Sequence, residues 1–257
     1  MSKKITNSEI ESLFREKLRE HFPSLYMTIS LSKLEEVVQD IGYTISMFRG
    51  FRLQAIKRFK KKPSEYLEYE ADCLFFSHCI LSCLYSMANV LIYIKQSKNA
   101  DAWDSLIDAN EYLGVANVFI KKYPHNESLS SNGIQSIKQR CDSWEKAFFP
   151  TLQYTSAGFT ETIGRCSVCL SDFLSCEHIE GFIYHGIFCK RIDRKIIEGN
   201  HVALVKNPKD RRCFFETSHD DEGYQIDVFS RERLNGQTEP KPQEFLARIL
   251  SSRSLDL

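Results

Sequence analysis

The chain of 257 residues has no excess of either charge: Lys+Arg and Asp+Glu number 34 each. A neutral chain carries no global field to draw it onto nucleic acid or an anionic membrane, so such a contact would have to come from a local patch. Nucleotide-binding and catalytic signatures are missing too. There is no GxGxxG, P-loop, GxSxG or kinase set, and nothing resembles a cofactor cradle. The absence of HExxH argues against a zincin-type protease. No internal repeat of fixed period occurs. The opening, MSKKITNSEIESLF, has no apolar core followed by a small-residue cleavage site, so the expectation is a cytoplasmic protein.

What the chain does have is cysteine, nine in all, an odd number unevenly spread. Cys73, Cys79, Cys83 and Cys141 sit in apolar, helix-like contexts, as free buried thiols do in a reducing compartment. Four others crowd into CSVCLSDFLSCEHIEGFIYHGIFC, from Cys166 to Cys189, together with His178 and His185. The Cys166-x2-Cys169 pair can chelate, because its turn brings both sulfurs onto one ion at about 2.3 Å. A tetrahedral site then needs two more ligands, and Cys176, His178, His185 and Cys189 compete for those places. His178 is preferred to His185, since it stands beside Cys176 and just before the Ile-Glu-Gly turn. Cys189 lies beyond a hairpin, the usual route by which a zinc module brings in a distant ligand. The expected set is Cys166, Cys169, His178 and Cys189, with Cys176 as the main substitute. Soft thiolates with one imidazole favour zinc. A closed sulfur and nitrogen tetrahedron leaves no place for water, so the zinc is expected to build structure rather than to catalyse. A redox CxxC pair is disfavoured, because no βαβ pattern surrounds it.

The fold class expected is α+β, with a helical bundle over residues 1–150 and a zinc-centred β-rich domain over 151–257. Asn7 and Ser8 can cap a first helix striped with Ile10, Leu13, Phe14 and Leu18. Leu34, Val37, Val38, Ile41, Ile45 and Phe48 recur at helical spacing in the next, which Gly50 is expected to bend or interrupt. Pro63 and Ser64 open a third helix. It contains FFSHCILSCLYSMANVLIYI, twenty residues without a formal charge. Such a run is long enough to span a bilayer. Its polar positions, His78 and Asn89 among them, favour a core helix apolar on most sides, and a membrane partner is not expected. A fourth helix is striped with Trp103, Leu106, Ile107, Leu113, Ala116 and Ile120. The linker PHNESLSSNG leads to a fifth, stopped by Pro150. Beyond Pro150, GFIYHGIFC reads as a tight hairpin, and HVALVKN, RCFFET and YQIDVFS as short strands. KPQEFLARILSS is expected to close the chain as a helix.

The stretch from Cys166 to Cys189 resembles a Cys/His module, CxxC…CxH…GxxYxGxxC, of uncharacterised bacterial and phage-linked proteins. Cys166, Cys169, Cys176, His178, Gly181, Tyr184, Gly186 and Cys189 carry the likeness. AWDSLIDANEYLGVA upstream and HVALVKNPKDRRC downstream are similar to segments that flank the module. The resemblance implies metal binding in a mobile-element or antiviral-defence setting, and it implies no activity.

Two functions follow as expectations. The first is a non-enzymatic, zinc-stabilised accessory or scaffold protein with a protein partner. The second is a nucleic-acid-binding protein or HNH-like nuclease component. For that second function Arg49, Arg52, Lys57, Arg58, Lys60, Lys61 and Lys62, interleaved with Phe48, Phe51 and Phe59, would grip phosphates. A nuclease would also conscript His185, His201, Asn207 and His219 around a divalent ion. The simpler reading of His201 and His219 is as loop residues, that of His78 is as a core imidazole, and Trp103 and Trp144 read as packing residues.

Overall fold

A computed structural model describes residues 9, 12–14, 16–17, 30–124, 131–251, 253, 255 and 257. Four long helices, α1 (Leu31–Lys61), α2 (Glu65–Lys95), α3 (Asn99–Lys122) and α4 (Ser131–Phe148), precede eight short strands. The architecture is α+β, a helical part followed by a β-rich region that carries the cysteine cluster. Asn7, Ser8, Ile10 and Leu18 lie outside the described residues, as does most of the linker before α4. Phe14 is described and buried, its ring 6.1 Å from that of Phe48 and 6.5 Å from that of Phe76.

α1 buries the stripe expected of it, Leu34, Val37, Ile41 and Phe48. Gly50 does not interrupt the helix, which runs unbroken from Leu31 to Lys61. Ser64 caps α2 by accepting a hydrogen bond from the Leu67 amide, with Glu65 and Glu68 in the first turn against the helix dipole. Of the helices in the described residues, α2 is the one long and apolar enough to cross a membrane, and 83% of its apolar window is buried inside the protein. Burial there is by α1 and α3 on either side, the environment a helix apolar on most sides requires. His78 sits on it as a core imidazole, its Nδ1 3.1 Å from Arg52 Nη1.

The core does not stop at Pro150. Leu152, Ile183, Phe214 and Val228 join the cluster built by the helices. The longest ribbon pairs β1 (Tyr154–Glu161) with β6 (Ile196–Val205) antiparallel, with register shifts after Gly158 and Thr160. β2 (Arg165–Cys166) pairs with β5 (Arg191–Ile192), β3 (Ile183–Tyr184) with β4 (Ile187–Phe188), and β7 (Thr217–His219) with β8 (Gln225–Asp227). The expected hairpin at GFIYHGIFC is therefore present. Its two-residue turn, His185 at φ 39° and Gly186 at φ 82°, has both central residues left-handed, as a type I′ turn demands.

The closing helix expected at residues 241–252 does not form in its described part, residues 241–251. Its backbone is claimed by a neighbouring extended segment: Glu216 N donates to Leu246 O at 2.8 Å and Arg248 N to Phe214 O at 2.9 Å. The Thr217 hydroxyl takes the Leu246 amide and the Thr155 hydroxyl donates to the Arg248 carbonyl. Tertiary pairing thus overrides the helical apolar spacing. Arg212, with 2% of its side chain exposed, fastens this region to α3 through Asp108 at 2.5 Å and Glu111 at 2.8 Å.

Candidate metal centre

The centre is assembled from three short turns. Cys166 ends β2, and the chain reverses at once: Leu170 N donates to Cys166 O and Cys166 N to Ser171 O, both at 2.9 Å. This reversal needs a left-handed residue after the second cysteine, and Leu170 supplies it at φ 63°. Val168 N points at Cys166 Sγ, 3.4 Å away. Asp172 then caps a turn of 3-10 helix, Phe173–Ser175, through the Leu174 amide. That turn delivers Cys176, whose sulfur accepts the His178 amide at 3.2 Å and lies 3.6 Å from His178 Nδ1. Tyr184 of β3 supports the imidazole edge-on at 4.6 Å, and its hydroxyl accepts the Ile179 amide.

The result is one convergent donor group. A ligand atom from each of Cys166, Cys169, Cys176 and His178 lies within 4.8 Å of all the others. It is the one group of three or more His, Cys, Asp or Glu donors found among the described residues. Three thiols and one imidazole form a set that could hold a metal ion. The spacing fits: a sulfur at about 2.3 Å and a nitrogen at about 2.1 Å on one tetrahedral ion stand about 3.6 Å apart. Cys176 and His178 therefore both stand in this group beside the CxxC pair. Cys189 does not belong to it. It is buried, with its sulfur 3.8 Å from that of Cys166.

The electrostatics separate these thiols. Burial raises the Cys166 thiol, yet amide hydrogen bonds from Cys169 and Val168 carry it below the ordinary range. The Ser171 backbone amide holds Cys169 low against burial. Burial pushes Cys176 up to about 11 and Cys189 to about 12, the latter helped by the neighbouring Cys166. A bound cation would reverse the logic for any thiol it touches, because a coordinating thiol is deprotonated outright.

The hairpin that supports the centre is pinned to the helices by residues the sequence did not single out. Asp72, fully buried on α2, accepts the Gly186 amide through Oδ1 and both Lys122 Nζ (2.7 Å) and Tyr123 OH (2.8 Å) through Oδ2. Lys122 also donates to Glu68 at 2.6 Å and to the Ile183 carbonyl at 2.9 Å. Burial draws the Lys122 ammonium down, and its bonds to Asp72 and Glu68 more than restore it. Burial, then Asp72, raises the Tyr123 phenol above its usual range.

The remaining candidates are scattered. His185 stacks on Phe59 of α1. His201 lies on β6 over Gly158, and His219 on β7 bonds to the Lys241 carbonyl at 2.8 Å. None of these three histidines joins a convergent group of His, Cys, Asp or Glu donors among the described residues. Within the basic stretch, Arg52 turns inward and is buried against His78 and Phe75. Arg58 is paired with the buried Glu70 at 2.7 Å.

Fold and centre together define an α+β protein with a Cys3His cluster able to hold a metal ion. No protein-family model, curated protein or solved structure matches the chain.

Proposed function

We propose that this is a zinc-stabilised accessory or scaffold protein of the cytoplasm, whose metal module holds a surface for a protein partner. Zinc suits the donors best, because three thiolates and an imidazole are soft to borderline and close a tetrahedron with no open position. The observation that carries the reading is the convergence of Cys166, Cys169, Cys176 and His178 in a segment with little core of its own. A structural zinc supplies roughly 10–16 kcal/mol in such modules, more than the few apolar contacts there can. The same segment points four large apolar side chains outward. Leu170, Leu174, Ile179 and Phe182 are 52–76% exposed. Apolar groups displayed on a rigid frame suit a protein interface better than a catalytic pocket. The likeness to a module of phage-linked proteins is what suggests a prokaryotic antiviral-defence complex as the setting.

The test is purification from the native host, with metal analysis and identification of co-purifying chains. One zinc per chain and a stoichiometric partner are expected. The pair of changes Leu174→Ser and Phe182→Ser should release the partner and keep the zinc. A metal-free monomer would contradict both halves of the reading. Release of the partner by neither substitution would contradict the interface.

A further inference from the structure

The C-terminal end of α1 meets the tip of the β3–β4 hairpin. There the Phe59 and His185 rings stack, with centroids 4.6 Å apart and planes 11° from parallel. Both rings are half-buried, each keeping part of its surface open to solvent. Lys57, Lys60 and Lys61 on the last turn and a half of the same helix, and Lys62 just beyond its end, are all exposed. None of the four has an ion pair among the described residues, whereas neighbouring Arg58 is taken up by Glu70. A cation or two at a helix C-terminus is explained by the helix dipole. Four are more than the dipole needs, and Lys57 repels Lys60 and Lys61 at the three- and four-residue spacings that face each other. An anionic partner would relieve that repulsion. A partner that is only anionic would have no use for the aromatic surface beside the lysines.

We propose that this corner binds single-stranded nucleic acid, with the four lysines holding successive phosphates and the Phe59–His185 pair receiving one unpaired base. Lys57 to Lys61 spans about 6 Å of helix at 1.5 Å per residue, and Lys62 extends the row beyond it, room for two or three phosphates. A duplex hides its base faces, so the stack has a role only for a single strand. The two rings come from chain segments far apart in sequence, joined where Asp72 accepts the Gly186 amide. Binding therefore needs the docked hairpin. It does not need a protein partner on Leu174 or Phe182, and it can fail or stand independently of the scaffold reading.

The experiment is fluorescence anisotropy with the full chain and labelled strands of about 20 nucleotides in about 50 mM salt. Poly-dT, poly-U and a duplex of equal length form the three arms. Both single strands should bind more tightly than the duplex, and the better of the two identifies DNA or RNA as the ligand. The affinity should fall with salt at a slope of about −2 in log K against log salt, as about three phosphates require. Replacing Lys57, Lys60, Lys61 and Lys62 together by Glu should weaken binding at least about ten-fold, with melting temperature and zinc content unchanged. Phe59→Leu should weaken the single strands about five-fold or more and leave binding to heparin, which offers charge without bases, as it was. No binding of any strand at low salt would overturn the proposal. So would undiminished binding by the lysine variant, a Phe59→Leu variant that loses nothing, or capture of phosphatidylserine vesicles in place of oligonucleotides.

Discussion

Gly186 and Asp72 stand 114 residues apart and share a hydrogen bond, the Gly186 amide donating to Asp72 Oδ1 at 2.5 Å. The contact couples the hairpin beside the Cys/His cluster to the helical core. Asp72 is fully buried and its oxygens are all used: one by Gly186, the other by Lys122 and Tyr123. Removing the acceptor strands an amide and deprives a half-buried ammonium of one of its partners. We expect Asp72→Ala to cost about 3 kcal/mol, the lower end for a broken buried pair because Lys122 keeps Glu68. Urea denaturation measures this. A loss below about 1 kcal/mol would mean that the hairpin is held by something else.

Gly186 allows a sharper comparison with Gly181. Both are left-handed, at φ 82° and φ 89°. A Cβ on Gly186 would sit 2.9 Å from the Ala71 carbonyl oxygen, whereas one on Gly181 meets open space. Gly181→Ala should therefore cost only the backbone term of about 1–2 kcal/mol. Gly186→Ala should cost at least about 1 kcal/mol more, because the hairpin must lift from α2 to make room. Equal thermal stability of the two variants would argue against the docked arrangement.

Stability should also fall on acidification in a way that His185 controls. Burial holds the folded imidazole below its ordinary 6.5, opposed by Glu68 and Asp72 and aided by Lys60 and His178. As the pH drops through about 6.5, the unfolded chain takes up this proton before the native one, so the unfolded state gains. His185→Asn removes the titration and keeps a turn that favours Asn-Gly. Its stability, measured from pH 7.5 to 5.5 with zinc content followed in parallel, should decline less steeply than that of the parent. Parallel curves would assign the acid sensitivity to the thiolates alone.

Cys176 and Cys189 should behave differently on substitution. Cys176 belongs to the convergent group, and Cys189 is a buried neighbour of Cys166. Cys176→Ala is expected to lower zinc affinity by several orders of magnitude, as loss of one of four ligands does. Cys189→Ala should retain the metal and lose about 1 kcal/mol of packing. A competition titration against a chelator reads both, and the reverse order of effects would place Cys189 in the coordination sphere instead.

Much of the helical part could be read from spacing alone, because α1 and α3 bury most of the apolar stripes expected of them and α4 stops just before Pro150. The CxxC pair and the turn at His185-Gly186 were equally legible, since each depends on residues adjacent in the chain. Nothing local announced β1, whose Tyr-Thr-Ser-Ala-Gly run has too few bulky side chains to signal a strand. The segment from Lys241 to Ser252 misled for the opposite reason: helical spacing is present, but Phe214 and Glu216 bind its backbone first. Arg52 looked like part of a basic surface until its place facing His78 was known. The Asp72, Lys122 and Tyr123 cluster had no sequence signal, because its meaning lies in a hairpin far along the chain.

The central claim is that Cys166, Cys169, Cys176 and His178 close a tetrahedron around one structural zinc. X-ray absorption at the zinc edge of the purified chain tests it most directly. The expected first shell is three sulfurs at about 2.3 Å and one nitrogen at about 2.0–2.1 Å, with no oxygen. A shell containing water or carboxylate oxygen, or a chain that purifies without zinc, would contradict it.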